Sequence, residues 1–319
     1  MLLENEFLRV KVALRGAELC SLYDKQRREE LIWQGDPTVW GWHAPLLFPL
    51  VGKLINDSYR YRGRIYRMLR HGFAREEIFA LVEDSPGAHD EEPIRGAKKS
   101  EPPEVEEKRS SLHLRLTDHS VTREVYPFRF CLDVIYQLKG RKLSVRLELR
   151  NRDEKEMYFA IGAHPGFALP LKEGERSSDY RLVLAGPGEE SLSYYLPDPV
   201  SGAVDLSHSY QLVKKKEGLA LTSELFDKDA LIFQQRQISS ASILRPNGDL
   251  CLTLNCGDFP DFGIWSVPGA SQPFICLEPW FGRSDAAGFA GDLSDRYGEV
   301  CLKEGQSFSA GFDILLPES

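Results

Sequence analysis

No stretch of the 319-residue chain approaches the roughly 18–20 consecutive apolar residues that a membrane-spanning helix needs, which argues against a membrane role. The opening MLLENEFLRV has no basic segment, no apolar core and no small-residue cleavage site, so it does not read as a secretory leader and a cytoplasmic protein is expected. Positive charge is not in surplus. Forty Lys and Arg face 48 Asp and Glu, for a net charge of −8. A non-specific nucleic-acid binder needs the opposite, clustered positive charge, so no nucleic-acid partner is expected. The six cysteines (20, 131, 251, 256, 276 and 301) form no C-x-x-C pair. Scattered through apolar runs, they read as buried, reduced thiols rather than a disulfide framework or zinc site. Also missing are the phosphate-cradling G-x-x-x-x-G-K, a G-x-G-x-x-G after a strand, H-E-x-x-H and G-x-S-x-G. The seven histidines never pair at metal-ligand spacing on one element, so no metal and no cofactor are expected.

What is present is period two. Leu143, Val145, Leu147 and Leu149 alternate with charged or polar residues, and Phe128, Phe130, Leu132, Val134, Tyr136 and Leu138 share one face. Leu112–Leu116, Leu250–Leu254 and Leu8–Leu14 repeat the pattern. Such alternation marks strands with one face in a core and one in water. Turn dipeptides punctuate them, and Asn247-Gly248 predicts a tight hairpin. A sustained 3.6-residue stripe is missing; Ser223–Ile232 is the best short helical candidate. With 42% apolar residues and no composition shift, the chain is expected to form one large antiparallel β-sandwich domain over residues 1–319. Glu83–Ser110 stands apart. Rich in Glu, Pro, Lys and Gly, it lacks the apolar surface to order itself as core and is expected to be an exposed, mobile insertion.

Three constellations carry chemistry. His71 sits in Arg70-His71-Gly72-Phe73-Ala74-Arg75, where glycine permits close backbone approach and Arg75 offers a fork of donors. His164 lies in Gly162-Ala163-His164-Pro165-Gly166, directly after an apolar strand expected over Met157–Ile161. Glu278 ends the run Phe274-Ile275-Cys276-Leu277 and precedes Pro279-Trp280. A carboxylate there is costly unless paired or used, and burial beside an aromatic raises its pKa toward that of a general base. Asp229 abuts the run Ala230–Phe233, where a cap is the competing reading. Histidine, carboxylates and arginine among tryptophans suit a sugar, whose apolar ring faces stack on aromatics while its hydroxyls hydrogen-bond.

These residues resemble a known family. Trp33-Gln34-Gly35-Asp36-Pro37, Ala44-Pro45-Leu46-Leu47-Phe48-Pro49-Leu50-Val51-Gly52-Lys53-Leu54 and His71-Gly72-Phe73-Ala74-Arg75 are similar to motifs of the aldose 1-epimerase (galactose mutarotase-like) superfamily. Gly162–Phe167, Asp229–Phe233, Gly263-Ile264-Trp265-Ser266 and Glu278-Pro279-Trp280 follow in the same order. The match is closest to the branch of LacX-like proteins and hexose-6-phosphate epimerases. The resemblance implies a β-supersandwich and a cofactor-free isomerase that interconverts the α and β anomers of an aldohexose or its phosphate. It implies Glu278 as the base on the anomeric hydroxyl and His164 as the acid on the ring oxygen. His71, Arg75, Asp229 and Lys53 would hold the sugar. Lys53 and Arg70 depart from the family's usual arginine and glutamine, which leaves the sugar open. The competing expectations are a non-catalytic carbohydrate-binding or sensing protein of the same fold, and an unrelated sugar isomerase or hydrolase. The partner is a small sugar or sugar phosphate, and the assembly a monomer or homodimer.

Overall fold

The computed structural model describes residues 1–82, 109–187, 191–198, 200–269 and 273–318. It is the expected all-β fold. Among the described residues one short α-helix, Ser120–Val125, accompanies a few 3₁₀ turns. Two large sheets dominate. The first has nine strands, in the order Leu219–Ala220, Arg181–Ala185, Ser240–Leu244, Leu250–Asn255, Ser307–Leu315, Lys142–Asn151, Phe130–Lys139, Ser111–Thr117 and Ala80–Leu81. The second runs Tyr210–Val213, Ser191–Tyr195, Leu231–Phe233, Asp261–Trp265, Phe274–Phe281, Ile161–Ala163 and Leu46–Leu47, with Gly166–Ala168 also paired to Phe274–Phe281. A four-stranded sheet, Leu2–Glu4 to Glu29–Glu30, carries the first thirty residues. All ladder pairings between named strands are antiparallel.

The alternation does what it predicts in the nine-stranded sheet. Leu147 faces Val134 on one side and Ala310 on the other, and all three are buried in one cluster with Ile264, Ile275 and Leu277 of the second sheet. The core therefore lies between the two sheets, and each fully buried aliphatic side chain there contributes about 1.5–3 kcal/mol. The Asn247-Gly248 hairpin is present. Ser240–Leu244 pairs with Leu250–Asn255, and the Arg245 and Asp249 backbones close the turn over 2.8 Å.

Four expectations need correction. Ser223–Ile232 is not a helix: a 3₁₀ turn, Ser223–Phe226, leads into the strand Leu231–Phe233. Four residues of turn and the left-handed Asp229 leave no room for a helical stripe. The apolar run Met157–Ile161 is two strands, Met157–Phe159 and Ile161–Ala163, because Ala160 donates its N–H to Pro49 instead of continuing the first ladder. Not every cysteine is buried, since Cys301 is exposed and Cys20 and Cys131 are half-buried. Of the insertion at 83–110, residues 83–108 lie outside the described residues. Arg109 and Ser110 are tied in, their carbonyls accepting the N–H groups of Glu4 and Leu138. No helix among the described residues is long and apolar enough to cross a membrane.

Candidate active site

The strand Phe274–Phe281 builds the centre of the site. Its odd-numbered residues Ile275 and Leu277 enter the core between the sheets. By the alternation of a strand, Phe274, Cys276, Glu278 and Trp280 face the other way. Both faces are covered, so all but the last residue of this strand are buried. Glycine on either side makes room. A β-carbon at Gly263 would lie 2.3 Å from the Trp280 indole, and one at Gly162 would lie 2.6 Å from it. These two glycines, paired with Glu278 and Trp280 in the flanking strands, let the indole lie against the sheet beside the carboxylate.

His164 leaves the neighbouring strand Ile161–Ala163. Its backbone N–H donates to Pro45 over 3.1 Å, and Gly166 donates to His43 over 2.9 Å, which locks the segment against the loop of Trp40 to Ala44. Its ring is walled by Trp40, with centroids 5.0 Å apart, and by the edge of Trp265 at 5.8 Å. Its Nε2 lies 3.1 Å from Oε2 of Glu278. The two are 8% and 1% exposed, and among the described residues no Lys or Arg lies within 4 Å of the carboxylate.

Burial sets the charges. It pushes Glu278 well above the usual carboxylate range, with the nearby negative charge of Asp229 adding to the effect and Arg70 opposing it. It lowers His164 to about 3, helped by the positive charges of Arg75 and Arg70. Both shifts favour the uncharged forms of the two groups, which meet in this close contact. The thiol of Cys276 lies beside them, with ligating atoms within 4.8 Å. Burial and the neighbouring Glu278 push that thiol well above its ordinary value.

The other residues form the rim. His71 stands edge-on to His164, with centroids 5.6 Å apart, and its Nδ1 accepts the Gly52 N–H over 3.1 Å. That fixes the tautomer with the proton on Nε2, a free donor. Burial and the charges around it keep this ring neutral too. Arg75 lies 5.0 Å over the Trp42 ring and donates to the Arg70 carbonyl over 3.0 Å. Asp229 enters the picture through its charge on Glu278, and its Oδ1 also accepts the Ala230 N–H over 2.8 Å. The cap reading and the site reading of this residue thus coexist. His71 and Asp229 both have left-handed backbones, φ +69° and +73°, a strained choice for residues with a β-carbon that clusters at functional sites. Lys53 stands differently: its ammonium is on Asp57 at 3.0 Å, an i,i+4 pair, and only its stem borders Gly202 and Arg70.

Sequence reasoning quoted Trp265 within a motif but missed it and Trp40 as walls of the His164 pocket, and it noted Arg70 only as a departure. The density of tryptophan around residue 40 was the available signal.

Comparison with known proteins gives the family and the fold. The sequence profile described as Aldose 1-epimerase matches residues 1–287. Protein LacX, chromosomal, of Lactococcus lactis subsp. lactis is 33% identical over 300 residues, covering 92% of this chain and 91% of the relative. A galactose mutarotase related enzyme from Lactobacillus acidophilus superposes with a TM-score of 0.84 at 32% identity, covering 100% of this chain and 97% of that one. A galactose mutarotase-like protein from Lactobacillus casei ATCC 334 gives 0.82 at 30%, covering 99% of each chain.

Proposed function

The chain belongs to the aldose 1-epimerase family, and from that premise we propose that it interconverts the α and β anomers of an aldohexose or hexose phosphate, with Glu278 and His164 moving the protons. The observation that carries the proposal is the buried 3.1 Å contact between these two groups, with no Lys or Arg paired to the carboxylate among the described residues. Acid–base chemistry at a hemiacetal needs one group to take a proton and another to give one. A proton passed from Glu278 to His164 across their 3.1 Å contact creates both at once, a carboxylate base and an imidazolium acid. Glu278 then removes the proton from the anomeric hydroxyl, the C1–O5 bond breaks, and His164 protonates O5. The open-chain aldehyde rotates about C1–C2. Reversal of the two transfers closes the ring on the other face and returns both protons to where they began, so no cofactor enters the balance.

In this reading Trp40 and Trp265 present ring faces to the apolar side of the sugar. His71 Nε2–H, Arg75 and Asp229 hold hydroxyls. Arg70 and Arg75, which carry positive charge beside a neutral pair, leave the site open to a phosphate ester as well as to a neutral sugar. Lys53, held by Asp57, contributes mainly its charge at the rim. The test is exchange NMR or polarimetry on pure α-anomers of glucose and galactose, each with and without a 6-phosphate. Exchange above the spontaneous rate supports the proposal. Sugar binding without any acceleration leaves the carbohydrate-binding alternative.

A further inference from the structure

A second cluster of chemistry-bearing side chains lies outside the catalytic pair. Cys20 lies in the strand Leu19–Asp24, and Glu18 immediately precedes that strand. His43 comes from the loop that carries Trp40 and Trp42. One ligating atom from each of the three lies within 4.8 Å of the others.

The details are those of an incomplete polar site. The Glu18 carboxylate is pinned through Oε1, which accepts the backbone N–H groups of His43 at 2.7 Å and Ala44 at 3.0 Å. That fixes the direction of Oε2, which lies 3.7 Å from Nδ1 of His43. The separation is too long for a hydrogen bond. It matches the roughly 3.3–3.8 Å kept by two ligands of one tetrahedral ion with bonds of about 2.0–2.3 Å. Nδ1 of His43 is buried and has no hydrogen-bond partner. The ring is held in place: Gly35, with φ +67°, runs so close that a β-carbon there would lie 2.9 Å from Cε1. The Cys20 sulfur currently donates to the Glu18 carbonyl over 3.3 Å, and the residue is half-buried.

From this arrangement we infer that Glu18, Cys20 and His43 form a binding site for a divalent transition ion of the zinc class, separate from the catalytic pair. A thiolate and a carboxylate balance the charge of such an ion. A sulfur, nitrogen and oxygen donor set selects zinc-like ions over calcium or magnesium. Three protein ligands leave a fourth position for water. Ligation takes the Cys20 sulfur as a thiolate, so a proton leaves as the ion enters. The bound ion cross-links the strand Leu19–Asp24 to the loop whose Trp40 stacks on His164 and whose Trp42 lies under Arg75. It is a stabilising clamp on one wall of the candidate active site and takes no part in proton transfer.

The test uses full-length protein stripped with a chelator and titrated with Co²⁺, whose thiolate charge-transfer absorption reports a sulfur ligand, followed by displacement with Zn²⁺. One equivalent should saturate the band. Cys20→Ser should remove the band and weaken Zn²⁺ binding at least about a hundredfold, beyond the 10–100-fold typical of merely supporting residues. His43→Asn should weaken it as well, and Cys276→Ser, which removes the thiol beside Glu278, should leave the band in place. The inference is overturned by the lack of a band and of calorimetric Zn²⁺ uptake, by a band that survives Cys20→Ser, or by one that disappears in Cys276→Ser. A readout on the unmodified chain guards against a misfolded variant: Zn²⁺ should protect Cys20 from alkylation, seen by peptide mass spectrometry, and unchanged alkylation overturns the inference. None of these outcomes depends on whether the protein turns over a sugar.

Discussion

Two buried carboxylates, Glu29 and Glu278, meet opposite fates. Glu29 receives both terminal nitrogens of Arg245, one at 3.0 Å, in a two-pronged ion pair that is itself buried. Asp24 with Arg141 and Asp285 with Arg296 repeat that solution. Among the described residues the Glu278 carboxylate is paired with an imidazole and no guanidinium, and burial lowers that imidazole's pKa to about 3. In the three arginine pairs the buried acid is given a guanidinium as its direct partner. At the candidate site the fold supplies a group that can exchange a proton with the acid. The difference separates a structural ion pair from a catalytic one.

The contrast can be broken from both sides. His164→Asn should lower anomer exchange about 10²–10⁴-fold, the usual contribution of a general acid–base group. Its unfolding midpoint in urea should move little, because the partner left behind is a neutral carboxyl. Arg245→Met should do the reverse. Removing one member of a buried ion pair costs about 3–5 kcal/mol, so this variant should unfold at much lower urea while the folded fraction keeps its exchange rate. Equal effects of the two substitutions on both readouts would erase the distinction.

Arg75→Ala and Asp229→Ala should act on binding. Each removes a charged hydrogen-bond partner for a hydroxyl, worth about 1.5–3 kcal/mol, which is roughly 10–100-fold in KM with a smaller change in kcat. A loss confined to kcat would place either residue in proton transfer. The smallest effect is expected from pH. The active pair holds one proton, so the rate declines when it gains a second or loses the first. Gain is governed by His164, lowered to about 3, and loss by the raised Glu278. The profile of kcat/KM, with the spontaneous rate subtracted, should lack the inflection of an ordinary histidine near 6.5, declining on the acid side toward the lowered His164 and on the alkaline side as the raised Glu278 loses its proton. An inflection near 6.5 would show a histidine titrating independently of its partner.

The two regions also differ in how far they could be read from sequence. Lys142–Asn151 alternates buried and wet faces, so its strand, orientation and core residues were legible. Phe274–Phe281 is covered on both faces, and its sequence is nearly all apolar around one acid. Alternation is silent there. The cost of burying Glu278 was the usable signal, and it led to the residue the structure places against His164. Lys53 shows the limit. Its position in a motif suggested a ligand role, but only three-dimensional packing shows its ammonium on Asp57. Trp40 and Trp265 were unreadable as a pair because they lie far apart in the chain and meet only across the sheet, with ring centroids 5.7 Å apart. Glu18, Cys20 and His43 converge in the same way, joined by a loop crossing that no spacing rule encodes.

The most direct test of the shared-proton pair is Glu278→Gln, measured by exchange NMR between the anomers alongside calorimetric binding of the same sugar. The amide keeps the shape of the side chain but cannot take the anomeric proton. Exchange should drop about 10²–10⁴-fold toward the spontaneous rate, with sugar affinity largely retained. Near-normal exchange in that variant would contradict the assignment of Glu278 as the base and the account built on its contact with His164.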